Sequence, residues 1–343
     1  MPENRNRTGK GGARRGTNTG GKPYGAKSYG KGVPSRRANA AKKSAKSADA
    51  QPKERRISKI IQWYPGHMAK ARREITEALS LVDIAIELCD ARIPASSRNP
   101  GIDSLLAGKP RILVMNKTSL ADPRVSDAWR ERMKKNGETV VFTDCMTGQG
   151  ISDIVPAVRE ILAEKLARFE SRGMVGRLPR AMILGVTNCG KSTLVNKLCG
   201  RVKAKAEDRP GVTRENKWIT VKDSIELLDT PGILWPKFDD EETGLCLAFT
   251  GAIRDDILDR EEVAVLLCEK LMTLYPELLC ERYGLEPSDL EGRMHYEVFE
   301  MIGRKRGFLV SGGEVDTLRT AVMLLDEFRD GKIGRITLER PKV

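Results

Sequence analysis

The stretch from 181 to 192 constrains this chain more than any other. Ala181–Val186 (AMILGV) is an apolar run of the kind buried in a parallel sheet. It leads directly into Gly185-Val186-Thr187-Asn188-Cys189-Gly190-Lys191-Ser192, which fits the pattern G-x-x-x-x-G-K-[ST]. A helical pattern opens at Lys191, with Leu194, Val195 and Leu198 on one face. The glycines let backbone N–H groups turn inward around phosphate oxygens. Lys191 can reach β- and γ-phosphates, and Ser192 can ligate Mg²⁺. A plain glycine turn between strand and helix would require neither the lysine nor the serine. Gly185 to Ser192, with Thr193 behind them, are therefore the candidate phosphate-binding residues.

Two further segments fit the same chemistry. Asp229-Thr230-Pro231-Gly232 leaves the apolar run Ile225–Leu228. A carboxylate at the end of a parallel strand beside a phosphate loop can hold Mg²⁺ through water, and the Gly232 N–H can approach a γ-phosphate. Between the two motifs lies Pro210-Gly211-Val212-Thr213. Thr213 can complete the Mg²⁺ shell and order its loop while triphosphate is bound, or it is an ordinary loop threonine. The candidate metal ligands are Ser192, Thr213 and Asp229.

Apolar periodicity predicts strands at Val82–Cys89, Arg111–Met115, Val140–Phe142, Ala181–Val186, Trp218–Val221 and Ile225–Leu228. Helices are predicted at Met68–Leu81, Ser126–Lys135 and Ile151–Phe169, and from Lys191 onward. This alternation implies an α/β fold, a parallel-rich sheet with helices on both faces. From about Glu241 only helical patterns remain: Val263–Leu274, Pro276–Tyr283, Arg293–Gly303 and Val315–Arg329. The expected organisation is a disordered basic tail over 1–56, a nucleotide-binding domain over 57–240 and a smaller all-helical C-terminal domain over 241–343.

The charge is unevenly placed. Of a formal +13 over 343 residues, residues 1–50 carry 13 Lys and Arg against Glu3 and Asp49, which leaves about +2 for the rest. That segment has no Leu, Ile, Phe or Trp, so it has little to bury and is expected to be disordered. It lacks the apolar core of a secretory signal and the apolar face of a mitochondrial presequence. Its Gly/Arg/Lys texture, with Tyr24 and Tyr29, suits loose contact with RNA; a solubilising tail is the alternative. No run approaches the ~18 apolar residues of a membrane span, so no membrane partner is expected. Seven cysteines without a CxxC fit reduced thiols, and the two histidines, His67 and His295, exclude a histidine-rich metal centre.

The order of the motifs is unusual. Asn116-Lys117-Thr118-Ser119 follows the strand Arg111–Met115 and is similar to the N-K-x-D base-reading motif of GTP-binding proteins, yet it precedes the phosphate loop. A parallel sheet tolerates this, because its pockets depend on which strands are neighbours rather than on chain order. With Ile61–Arg73 (IQWYPGHMAKARR), Asp90–Pro100 (DARIPASSRNP), Gly148–Gly150, DRPGVT over 208–213 and Gly244–Ile253 (GLCLAFTGAI), the chain resembles the circularly permuted ribosome-assembly GTPases over roughly residues 57–330.

The resemblance implies a circularly permuted P-loop GTPase domain that binds GTP and GDP with Mg²⁺. It implies a cytoplasmic, monomeric GTP hydrolase acting as a switch in late assembly of the large ribosomal subunit. The helical domain would contact rRNA, and the particle would stimulate hydrolysis. Asn116, Lys117, Ser119, Asp144 and Cys145 would line the base pocket. Ile233 follows DTPG where Ras-like proteins carry a water-orienting Gln. The family gives that task to His67 of Pro65-Gly66-His67-Met68, and in related GTPases an Asn at the place of Asn188 helps to bind K⁺. These two are the candidate catalytic residues.

The chain departs from the family at the base. Ser119 stands where the carboxylate of N-K-x-D accepts from guanine N1–H and the 2-amino group, and Cys145 stands where a Ser or Ala is usual. A serine hydroxyl replaces a bidentate, charged acceptor, a loss worth about 1.5–3 kcal/mol. Asp122 lies three residues on, beyond easy reach. A second function therefore stands beside the first: an RNA-binding assembly scaffold with weak or base-unselective nucleotide binding. A K⁺-dependent GTPase role in RNA modification is a third.

Overall fold

The computed structural model describes residue 73 and residues 75–200, 217–221, 224–229 and 241–341. The basic tail, Thr213 and Gly232 lie outside the described residues, as does His67. At the start of the described chain, 73 and 75–79 are helical, within the helix expected over 68–81.

Six strands form one sheet: β1 (Ile84–Asp90), β2 (Arg111–Asn116), β3 (Val140–Phe142), β4 (Arg180–Gly185), β5 (Lys217–Val221) and β6 (Ile225–Asp229), in the order β3-β2-β1-β4-β6-β5. All pairs are parallel except β5–β6, the hairpin at one edge. β1 is buried at every position, which is why its sequence reads as an apolar run rather than an alternation. Ile84, Ile86 and Leu88 face one core, and Ala85 faces the other with Met182, Leu184 and Leu228. Full burial of one such large aliphatic side chain contributes about 1.5–3 kcal/mol. Glu87 interrupts the run. It is buried and held by Arg111 Nη1 at 3.1 Å and the Asn99 N–H at 3.1 Å; burial raises its pKa against the pull of Arg111.

The register sets the site. Asp90 of β1 pairs with Asn116 of β2, and Leu88 of β1 pairs with Gly185 of β4. One strand thus separates the base motif from the phosphate loop, and both emerge at the carboxyl ends, where open α/β sheets bind ligands.

The helices flanking the sheet are α1 (Ile102–Leu106), α2 (Pro123–Lys135), α3 (Ile154–Ile161), α4 (Ala163–Ser171) and α5 (Lys191–Cys199). The single helix expected over 151–169 is in fact a 3-10 turn at Ile151–Asp153 and then α3 and α4. Leu162 interrupts them with φ −92° and ψ 3°, although Leu162 N–H still reaches Val158 O and Leu166 N–H reaches Leu162 O. Periodicity alone does not register a bend that keeps its hydrogen bonds. Helix α2 begins three residues before the expected start because the Asp122 carboxylate accepts from the Arg124 and Val125 N–H groups and Pro123 opens the first turn.

The C-terminal part is helical, as expected: α6 (Glu241–Phe249), α7 (Arg260–Leu274), α8 (Pro276–Tyr283), α9 (His295–Lys305) and α10 (Thr317–Arg329), with α7 packed on α9 and α10. Its core is continuous with the sheet: Ile84, Leu88 and Val195 belong to one cluster with Phe249, Leu267 and Leu324. The final segment returns to the sheet side, where Ile336 N–H donates to Leu120 O and Leu338 N–H to Arg92 O. Trp129 Nε1 donates to Glu339 O at 3.0 Å. Among the described residues no helix is long and apolar enough to cross a membrane.

Candidate nucleotide-binding site

β4 ends at Gly185, and the loop beyond it is set by backbone geometry. A Cβ on Gly185 would lie 2.4 Å from Leu88 O, and one on Gly190 would lie 2.4 Å from Asn116 Nδ2. Gly190 caps α5 with φ +102°, and Asn188 takes φ 57°, a left-handed conformation asparagine tolerates better than most residues. Val186 and Cys189 are buried in the core cluster, so only their backbones are offered to a ligand. Lys191 is buried, and its ammonium donates to Val186 O at 2.7 Å and Gly185 O at 3.1 Å, so the cation is held on the loop itself. Ser192 and Thr193 follow in the first turn of α5.

The donor chemistry fits Mg²⁺. Ser192 brings a hydroxyl to the start of α5, and the Asp229 backbone pairs with Ile183 on the strand that feeds the loop. Both are hard oxygen donors. Among the described residues no group of three or more His, Cys, Asp or Glu gathers as a metal centre. An ion that takes its other ligands from phosphate and water needs none.

Asn116 joins three loops. Its Nδ2 donates to Cys189 O at 2.8 Å, and its Oδ1 accepts from the Cys145 N–H at 2.9 Å. Lys117, with φ 65°, places its ammonium 3.0 Å from Asp90 Oδ2. Arg92 closes on the same carboxylate, with Nε 3.0 Å from Oδ1 and Nη2 2.8 Å from Oδ2. Burial by itself raises the Asp90 pKa, but Arg92 and Lys117 outweigh it and hold the carboxyl well below the usual carboxylate range. Ser119 is exposed, and its hydroxyl and N–H both donate to Asp144 Oδ2. The other oxygen, Asp144 Oδ1, accepts from the Met146 and Thr147 N–H groups at 2.9 and 2.8 Å. Burial raises the Asp144 pKa, yet the Ser119 hydroxyl and these N–H groups bring it below its ordinary value. Burial pushes the Cys145 thiol up to about 12 and raises Cys189 as well, so both stay neutral and inert near pH 7.

The phosphate and base loops are also tied to the helical part. Thr187 Oγ1 donates to Ala252 O, and Asn188 Nδ2 donates to Gly251 O at 2.7 Å. Arg92 Nη1 reaches Arg329 O at 3.1 Å, at the end of α10. Arg335 donates to Thr118 O and Ala121 O, both at 2.9 Å.

The model for 50S ribosome-binding GTPases matches residues 180–272. The ribosome biogenesis GTPase A of Priestia megaterium is 50% identical over 284 residues, 82% of this chain and 97% of that one. The chain belongs to the ribosome biogenesis GTPase A family. The ribosome biogenesis GTPase A of Thermotoga maritima is 33% identical over 282 residues, 82% of this chain and 95% of that one. The GNP-bound YlqF from T. maritima has a TM-score of 0.57 at 28% identity, over 80% of this chain and 99% of that chain.

For this member of the ribosome biogenesis GTPase A family, the structure brings Asn116, Lys117, Ser119, Asp144, Cys145 and the loop Gly185–Thr193 to one end of the sheet. Of Asp229 it describes the backbone alone. Asp122 does not join them: it caps α2 and accepts from Tyr275 OH at 3.1 Å. Arg92, Arg98 and Asn99, in the loop after β1, are engaged internally. Arg92 bonds Asp90, Arg98 bonds Glu138, and the Asn99 side chain accepts from the Gly101 N–H. Sequence reasoning missed Asp90 as the anchor of Lys117. A carboxylate closing a largely apolar strand and followed two residues later by Arg was the available signal. Nothing in the sequence pointed to Thr187 and Asn188 as the links to 251–252.

Proposed function

We propose that this protein is a GTP hydrolase that acts as a switch in late assembly of the large ribosomal subunit, with hydrolysis stimulated by the ribosomal particle. The observation that carries the reading is Asn116, which fastens the base motif to the phosphate loop through Cys189 O and to the second base loop through Cys145 N–H. Family membership supports the same activity, and the names of the relatives supply the ribosomal setting. In this reading Asn116, Lys117, Ser119, Asp144 and Cys145 face the base, and Gly185 to Thr193 hold the phosphates. Ser192, Thr213 and Asp229 would hold Mg²⁺, which neutralises phosphate charge. Gly232 senses the γ-phosphate. His67 handles water, and Asn188 helps to hold K⁺.

The bonds from Thr187 and Asn188 to Ala252 and Gly251 give a switch somewhere to act, because a change in the phosphate loop is felt directly in the helical part. The domain organisation in this reading is a basic tail over 1–56, a GTPase domain over 57–240 and an rRNA-contacting helical region over 241–343. The protein works in the cytoplasm as a monomer.

The test is GTP turnover with and without large-subunit precursor particles, in K⁺ and in Na⁺. Particle-stimulated, K⁺-dependent turnover is expected; turnover unchanged at saturating particle would sink the switch. The scaffold reading rests on Ser119 and the basic tail, and it predicts that ATP displaces bound GTP as well as unlabelled GTP does.

A further inference from the structure

The base side of the site raises a chemical problem. The residue expected to accept from guanine is a serine, and the nearest carboxylate, Asp144, has no capacity to spare. A carboxylate offers about four acceptor positions. Asp144 Oδ1 is taken by the N–H groups of Met146 and Thr147, and Oδ2 by the N–H and hydroxyl of Ser119. Asp144 is also buried, at 1% exposure, whereas Ser119 is exposed. Asp144 therefore cannot turn to a base without abandoning the loop it orders.

We propose that Asp144 makes Ser119 a one-way reader of the purine edge: by accepting the hydroxyl's hydrogen bond it leaves Ser119 Oγ presenting lone pairs only, so the position accepts from a base N–H and rejects a base acceptor. This rests on the nucleotide-site reading above. A serine hydroxyl carries one proton and two lone pairs, and alone it rotates to suit either kind of partner. Next to a buried, ionised carboxylate the proton has one favourable place, and the charge-assisted bond fixes it there. Guanine and hypoxanthine both present N1–H on that edge, whereas adenine presents the N1 lone pair. Lone pair against lone pair leaves two facing acceptors without a donor, which disfavours adenine. One acceptor atom cannot satisfy N1–H and the 2-amino group as a carboxylate does. The specificity is therefore for a 6-oxopurine and only weakly for the 2-amino group. Ser119 is the specificity-determining residue, and Asp144 is its positioning residue.

The experiment is competition of unlabelled GTP, ITP and ATP against labelled GDP on the full chain with Mg²⁺. The unaltered protein should prefer GTP over ATP by about tenfold or more and hold ITP within a few-fold of GTP. Asp144→Asn keeps an oxygen for the Met146 and Thr147 N–H groups and turns its NH₂, a donor, toward Ser119. It should lower the GTP/ATP ratio about tenfold, chiefly by raising ATP affinity, because the freed hydroxyl can donate to adenine N1. Ser119→Ala removes the reader, leaves the backbone N–H on Asp144 Oδ2, and should lower the same ratio. The reciprocal pair Ser119→Asp with Asp144→Ser should restore GTP over ATP and add preference for GTP over ITP. The proposal fails if Asp144→Asn weakens all three triphosphates equally, if Ser119→Ala leaves the ratio intact, or if ITP trails GTP as far as ATP does in the unaltered protein. If the unaltered protein binds no nucleotide, the nucleotide-site reading fails instead, and this proposal with it.

Discussion

In the proposed nucleotide site the phosphate side and the base side are built from different materials. The phosphate side is made of backbone: Gly185 and Gly190 stand where any Cβ would strike Leu88 O or Asn116 Nδ2, and Val186 and Cys189 turn their side chains into the core. The base side is made of side chains that hold one another: Asn116 on Cys145, Lys117 and Arg92 on Asp90, Ser119 on Asp144. Backbone geometry leaves few sequence solutions, because one methyl group destroys it. A hydrogen-bonded pair leaves more, because donor and acceptor can be redistributed between its members. The two departures from the family pattern, Ser119 and Cys145, both fall on the base side.

Four substitutions, one control substitution and one titration test this contrast. Arg92→Ala should have the largest effect, a loss of about 3–5 kcal/mol in denaturant unfolding, because it leaves a buried carboxylate short of its main partner. Gly190→Ala should come next. Its φ of +102° and the collision with Asn116 strike both sides at once, and triphosphate affinity by titration should fall roughly a hundredfold. An equal loss from Ser192→Thr, which the phosphate-loop pattern permits, would contradict a backbone-built phosphate side. Asn116→Ala should cost about 2–3 kcal/mol in thermal or denaturant unfolding, since Cys189 O and the Cys145 N–H both lose a partner. Thr187→Val should cost only about 1 kcal/mol in thermal or denaturant unfolding, since one hydrogen bond to Ala252 O is lost.

The titration concerns Asp90. Its pKa is lower in the folded chain than in the unfolded one, where it sits near 3.9. Its contribution to stability is therefore complete above about pH 4 and is lost as the pH falls below that value. Unfolding free energy measured between about pH 5 and 2 should fall with acid, and Arg92→Ala should flatten that slope.

The strands were legible because a short apolar run between polar turns is stable chiefly as a strand buried on both faces. Arg111–Met115 and Val140–Phe142 were read to within a residue of β2 and β3. The phosphate loop was legible because its chemistry needs particular residue types at fixed spacing. The bend at Leu162 was not, since Val158 O and the Leu166 N–H keep their partners through it. Nor was the use of Arg92, whose partners Asp90 and Arg329 lie 2 and 237 residues away. A charged residue in a loop looks the same in sequence whether it faces solvent or a buried carboxylate.

By itself the sequence determined the local chemistry: a strand, a glycine-bounded loop, a lysine and a serine that opens a helix. It also determined the order of motifs that marks the family. Only the tertiary structure decided which of these meet. β1 lies between β2 and β4, and this places Asn116 beside Cys189 although 73 residues separate them in the chain. Ser119 meets Asp144 across 25 residues by the same means, because β3 pairs alongside β2. Local motifs depend on the covalent chain and its dihedral preferences. Contacts between loops depend on which strands are neighbours, and that is settled by burial of the whole core at once.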